Sequence, residues 1–197
     1  MLNLQELKNW LGKNDKKSEE LGFLEFSKEK EIELTDILAR HIQKLDPEKA
    51  GKCTKWQLSS VIYRQMDASG SEASYTNAVH RDLSEDSVQN LKTHQNQYYY
   101  YNAWIPRDIV HNHPLGLILP DSVNIKTDAS GFMGLENDYT GLLHNLAHNW
   151  IYYPALNVGD TILWHSEIVY HASFSVPNSL SNVPRSSMDF RIYFEKD

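Results

Sequence analysis

Pro184-Arg185-Ser186-Ser187-Met188-Asp189-Phe190-Arg191-Ile192-Tyr193-Phe194, close to the end of the chain, alternates in character with a period of two. Extended, it places Arg185, Ser187, Asp189 and Arg191 on one face and Ser186, Met188, Phe190 and Ile192 on the other. Segments upstream share this texture: Gln97–Ile105, Thr161–Trp164 and Ile168–Val176 are rich in β-branched and aromatic residues and are separated by Asn, Pro, Gly, Ser and Asp. Many short strands without βαβ alternation predict an antiparallel sandwich or barrel. The run Tyr98–Tyr101 reads as a strand with aromatics on both faces rather than as a binding platform. Tyr139–His148 reads as helical or irregular. Farther out, Leu2, Leu4, Leu7, Trp10 and Leu11 fall at helical spacing, and Ile32, Leu34, Ile37, Leu38, Ile42 and Leu45 do so again after Gly22. Pro47 and Gly51 end this helical stretch. The expected organisation is one domain over residues 1–197, with a helical region, 1–53, packed on a β-rich body, 54–197.

Composition narrows the function classes. A hydrophobic fraction of 41 % with 11 % aromatics suffices for a core and excludes disorder or coiled coil. Nineteen Lys and Arg against twenty-six Asp and Glu give a charge of -7, which argues against a nucleic-acid partner that would require a basic face. The longest apolar runs, such as Leu115–Leu119, are too short to span a bilayer, and the N-terminus is not a basic, apolar leader. The single cysteine, Cys53, makes no internal disulfide, so a cytoplasmic setting is expected. Nine histidines is a high count, and it directs attention to metal or acid–base chemistry.

Val79-His80-Arg81-Asp82 is the sharpest short signal. In an extended segment His80 and Asp82 share a face, so one imidazole and one carboxylate can grip a single cation. A surface histidine with an acidic neighbour has the same spacing. A second histidine is needed, and His171, in a strand that follows the Gly159-Asp160 turn, is the candidate; a hydrogen-bonded core histidine is its bland alternative. Two histidines and a carboxylate on one face of iron leave three positions open, as a non-haem Fe(II) oxygenase requires. Arg185 and Arg191 would suit a dicarboxylate, because a guanidinium fork binds carboxylate bidentately. Alternatively they pair with Asp189 or line a solvated edge. His144 and His148 stand at i, i+4 without the intervening Glu of a metalloprotease, and His111-Asn112-His113 reads as loop. No Gly-x-Ser-x-Gly elbow and no phosphate-cradling glycine loop is present.

Six segments in order carry a resemblance: His80-Arg81-Asp82, Asn102-Ala103-Trp104-Ile105-Pro106, Pro114-Leu115-Gly116-Leu117, Asn149-Trp150-Ile151-Tyr152-Tyr153, His171-Ala172-Ser173-Phe174, and Pro184 to Arg191. Together, over residues 75–197, they resemble the Fe(II)/2-oxoglutarate-dependent oxygenases, within them the cephalosporin 7α-methoxylation components, the fungal meroterpenoid and gibberellin-desaturase-like enzymes, and the phytanoyl-CoA dioxygenase-like proteins. The chain departs from that group in being shorter and in carrying His165-Ser166 where Asp-Ser is usual. His165 is therefore expected beside the ligands or facing substrate rather than on the metal.

The resemblance implies a double-stranded β-helix, a cupin-like jelly roll, with helices on the outer face of one sheet. It implies Fe(II) held by His80, Asp82 and His171, 2-oxoglutarate as cosubstrate contacted by Arg185, with Arg191 in reserve and Asn102 nearby, and dioxygen as the oxidant. The activity implied is hydroxylation, desaturation or a related oxidation of a small molecule in biosynthesis, releasing succinate and CO₂. Two other classes remain: a cupin-like binding module without turnover, and a zinc hydrolase built on His144 and His148. Trp104, Trp150 and Trp164 are candidate pocket walls or core.

Overall fold

The computed structural model describes residues 2–3, 5–14, 22–23, 25–51, 53, 55–66, 79–83, 87, 89–90, 98–110, 113–131, 140–143, 145–173 and 185–195. Its helices are α1 (Gln5–Asn14), α2 (Lys28–Leu45), α3 (Pro47–Ala50) and α4 (Ile125–Asp128), and its strands are β1 (Leu2–Asn3), β2 (Gly22–Phe23), β3 (Trp56–Met66), β4 (His80–Arg81), β5 (Tyr98–Pro106), β6 (Leu115–Ile118), β7 (Ala129–Gly131), β8 (Thr140–Leu142), β9 (Trp150–Tyr152), β10 (Asp160–His165), β11 (His171–Ser173) and β12 (Arg185–Glu195). They form two antiparallel six-stranded sheets. The first runs β1-β10-β5-β12-β3-β2 and the second β7-β8-β4-β11-β6-β9. The strand pattern predicts such an antiparallel sandwich, and its form is the jelly roll that the resemblance implies.

The long strand β12 lies in the middle of the first sheet, between β3 and β5. Its period of two sorts its side chains as the sequence requires. Met188, Phe190, Ile192 and Phe194 face outward, where they meet Leu7, Trp10, Leu34, Leu38 and Ile42 of α1 and α2 in the larger apolar core. Burying a Phe or Leu side chain fully contributes about 1.5–3 kcal/mol, so this outer seam is what fixes the helices to the sheet. Arg185, Asp189 and Arg191 face inward. They meet a smaller apolar cluster of Trp104, Val110, Leu115, Leu156, Ile162 and Trp164 between the sheets.

A polar knot reinforces the helical cover. Asp46 links α2 and α3: its carboxylate accepts from Lys49 N and, at 2.8 Å, from the Tyr101 hydroxyl of β5, and lies 3.0 Å from His165 Nε2 of β10. Gly159 makes the turn into β10 with φ 90°, in the left-handed region, and a Cβ there would lie 2.9 Å from Lys8 Cβ. At the other end, buried Asp128 gathers four donors, His148 Nε2 at 3.0 Å, Asn124 N, the Thr127 hydroxyl and Asn145 Nδ2. His148 serves this anchor and no metal cluster among the described residues, while His111 and His144 lie outside those residues.

Three local expectations are corrected. Residues 140–142 form strand β8, because pairing with β4 and β7 overrides a segment with little strand propensity of its own. The expected strand over 168–176 is confined to His171–Ser173 in the described residues, since His165 O accepts from Val169 N and turns the chain there. Trp150, finally, is on the exposed edge strand β9 rather than in a pocket.

Candidate metal centre

Strand β4 is only two residues long, yet it decides the site. His80 pairs across the sheet with His171 of β11, so two histidines ninety-one positions apart become direct neighbours, their rings 4.4 Å apart. The chain bends after Arg81 and brings Asp82 back to the same side. Arg81 points the other way, donating from Nε to Leu83 O and lying 5.4 Å from the Tyr170 ring. All three inward side chains are buried, and their donor atoms lie within 4.8 Å of one another. His80 Nε2 is 3.7 Å from Asp82 Oδ1 and His171 Nε2 is 3.9 Å from Asp82 Oδ2. Ligands at right angles about 2.1 Å from a common ion are about 3 Å apart, so the set closes on a divalent cation with shifts of under about an ångström.

Protonation favours the same use. Burial, then the neighbouring His80, pushes His171 down to about 3, so its imidazole is neutral at physiological pH. Burial works to raise the Asp82 carboxyl, but His171, Arg191, His80 and the Asn102 amide outweigh it and leave it at about 2. Neutral imidazole and ionised carboxylate are the forms that ligate metals.

The Asp82 carboxylate is also held from outside. Arg191 Nη2 donates to Oδ1 at 2.9 Å, and Asn102 Nδ2 donates to Oδ2. The Asn102 carbonyl in turn accepts from the Ser166 hydroxyl at 2.6 Å, and both residues are buried. This Ser166–Asn102–Asp82 relay fixes the Asp82 carboxylate, as outer-shell hydrogen bonds commonly fix metal ligands. Arg185 has a different neighbourhood: Nη1 donates at 2.6 Å to Ser173 Oγ and to the carbonyl of His113, and the guanidinium lies 5.2 Å from the Trp104 ring. Arg185, Arg191 and Asn102, all expected on the cosubstrate, thus divide: the first stands apart in the cleft, the other two clasp Asp82. Neither arginine pairs with Asp189 through a side-chain contact of 4 Å or less; Arg64 of β3 does, through Nε at 2.5 Å.

The three donor residues, Asn102, the three arginines and Asp189 line one cleft with Trp104, Leu115, Trp164 and Ser173, about 450 Å³ including its open mouth. His165 is absent from it. On β10 it alternates with Trp164, so it faces the helices and Asp46 instead of His80, Asp82 and His171, correcting the expectation that it lies beside them or faces substrate. Arg64 and Ser166 escaped the sequence reading. Arg64 carries no motif, although the period of two in β3 would have placed it with Ser60 and Ile62 once that strand was recognised.

No protein-family profile matches the chain, and no curated protein matches it in sequence. Among solved structures it is similar to the iron and alpha-ketoglutarate-dependent endoperoxidase NvfI. One conformation of that enzyme gives a TM-score of 0.63 at 14 % identity over 83 % of this chain and 66 % of that chain. Another gives 0.58 at 14 % identity, over 81 % and 68 %. At this identity the likeness concerns the fold, and the chain spans about two thirds of the neighbour's length.

Proposed function

We propose that this chain is an Fe(II)- and 2-oxoglutarate-dependent oxygenase acting on a small molecule. The observation that carries the reading is the buried His80, Asp82 and His171 set, with donor atoms within 4.8 Å, inside a jelly roll shared with a solved iron and alpha-ketoglutarate-dependent enzyme. His80, Asp82 and His171 would hold the iron, leaving three coordination positions for cosubstrate and dioxygen. When bound, iron and 2-oxoglutarate supply an oxidant derived from dioxygen, with succinate and CO₂ as coproducts.

The chain's own residues do the rest. Asn102 and Arg191 fix the Asp82 carboxylate, so both of its oxygens have defined partners. Arg185, buried against Trp104 and Ser173, offers a guanidinium fork to the far carboxylate of 2-oxoglutarate. Trp104, Trp164 and Leu115 restrict water in the cleft, which strengthens electrostatic contacts there. The ordered motifs over residues 75–197 support placement near the methoxylation-component and phytanoyl-CoA dioxygenase-like groups, and support a role in biosynthesis.

The test is succinate release. Protein supplied with Fe(II), ascorbate, oxygen and 2-oxoglutarate is expected to form succinate, and His80→Ala and His171→Ala are expected to lose both that turnover and calorimetric Fe(II) binding. Unchanged Fe(II) affinity in both variants would refute the ligand set. Tight metal binding without succinate would favour the binding-module reading.

A further inference from the structure

The cleft contains polar atoms that the metal and its cosubstrate do not use. Asp189 Oδ2 accepts from Arg64 Nε at 2.5 Å, but Asp189 Oδ1 is buried and has no hydrogen-bond partner among the described residues. Trp164 Nε1, a donor on β10 of the same sheet, is buried without a partner as well. A buried carboxylate oxygen without a donor loses its hydration for nothing in return, and native proteins rarely leave such a group unmet. Arg64 uses only Nε on Asp189; no contact with a described residue is seen for its two Nη groups, and the side chain is 24 % exposed at the cleft. Asp189 and Arg64 therefore present, side by side, one open acceptor and a fork of open N–H donors.

The remaining charges are already assigned. Arg191 is on Asp82, and Arg185 stands with Ser173 and His113. The Arg64–Asp189 pair is neutral as a whole, so it does not select a net cation or a net anion. A zwitterion matches it: an ammonium donates to Asp189 Oδ1 while a carboxylate beside it accepts from the Arg64 fork. Asp189 is two positions from Arg191 on the inward face of β12, a step of roughly 7 Å along the strand, and Arg191 touches Asp82. A head group at Asp189 therefore leaves its α carbon short of the proposed metal ligands, with them within reach of its side chain.

We propose that Arg64 and Asp189 form a head-group subsite, and that the substrate class is a free α-amino acid oxidised on its side chain. The assignment rests on the oxygenase reading above for the reaction, though not for the binding.

The experiment uses the full-length protein with Mn(II) in place of iron, which prevents turnover, and reads binding of the protein L-amino acids by saturation-transfer NMR and calorimetry, with and without 2-oxoglutarate. At least one amino acid is expected to bind saturably. Its N-acetyl derivative and the corresponding decarboxylated amine are each expected to bind at least about tenfold more weakly, the loss of one charge-assisted contact. Asp189→Asn should abolish the penalty for N-acetylation while leaving Mn(II) and 2-oxoglutarate affinity unchanged, a pattern that a merely structural ion pair would not produce. The ligand-side comparison needs no variant, so it stands if Asp189→Asn fails to fold. Normal Mn(II) and 2-oxoglutarate binding with no amino acid bound, or with N-acetylated and free forms bound equally, overturns the subsite alone. Loss of 2-oxoglutarate affinity in Arg64→Met, with amino-acid affinity kept, also overturns it by giving Arg64 to the cosubstrate. Failure of Mn(II) to bind at all sinks the oxygenase reading instead.

Discussion

Replacing Asn102 by alanine separates the orientation of Asp82, the proposed metal ligand, from its mere presence. The Asn102 amide donates to a buried, ionised Asp82, a charge-assisted bond worth about 1.5–3 kcal/mol. Its removal also strands the buried Ser166 hydroxyl, which donates at 2.6 Å to the same amide and would then lack its acceptor. Outer partners of metal ligands typically account for about 10- to 100-fold in metal affinity, equivalent to about 1.4–2.8 kcal/mol, so two independent routes reach one magnitude. Anaerobic Fe(II) calorimetry on Asn102→Ala should therefore show affinity reduced by about 10- to 100-fold. Ser166→Ala alone should show a smaller loss, and the double variant should be no worse than Asn102→Ala, since the hydroxyl acts through the amide. Wild-type affinity in Asn102→Ala, accompanied only by a lower melting temperature, would show that the relay supports the fold and not the ligand, and would refute the reasoning.

Three further outcomes are expected. Arg185→Lys keeps the charge but loses the planar fork, so the Kd for 2-oxoglutarate measured by calorimetry should rise by about tenfold or more; if Arg191→Lys does so and Arg185→Lys does not, their roles exchange. Asp46→Ala removes the α3 N-cap together with the Tyr101 and His165 contacts, and urea unfolding should report a loss of about 1–2 kcal/mol. Asp128 is held below its ordinary value of 3.8, first by His148, then by Asn124 N and Thr127. A depressed carboxyl contributes stability above its unfolded pKa and loses it as pH falls, so the melting temperature should drop below about pH 4 and do so less steeply in Asp128→Asn.

How much of this was legible in the sequence depends on the range of the interaction. The alternation in β12 predicted both of its faces, because the period of a strand is local and Met188, Phe190 and Ile192 are apolar without exception. The nearness of His80 and Asp82 was readable from their spacing, although a bend after Arg81, and not a continued strand, brings the two to one side. Partners across sheets were not readable. Which cation meets Asp82, and that Arg64 rather than Arg185 or Arg191 meets Asp189, follows from the pairing of β12 with β3 and β5, a register set by the whole sheet. The orientation of His165 was lost similarly: its place beside Trp164 is a one-residue matter, yet which of the two faces His171 depends on which side of β10 the helices cover.

Strand β12 is a party wall. Phe190 belongs to the greasy seam under α1 and α2, and the next residues on either side, Asp189 and Arg191, stand in the cleft between the sheets, so the two rooms share one run of peptide groups. Interiors this tightly packed transmit displacement rather than absorb it. A change of one methylene under the helices, outside the cleft altogether, is thereby delivered to the guanidinium on Asp82. Variation in the outer seam is accordingly constrained twice over, once by folding and once by the shape of the cleft, and a stabilising repack there that ignores its reverse side will shift Asp189 and Arg191.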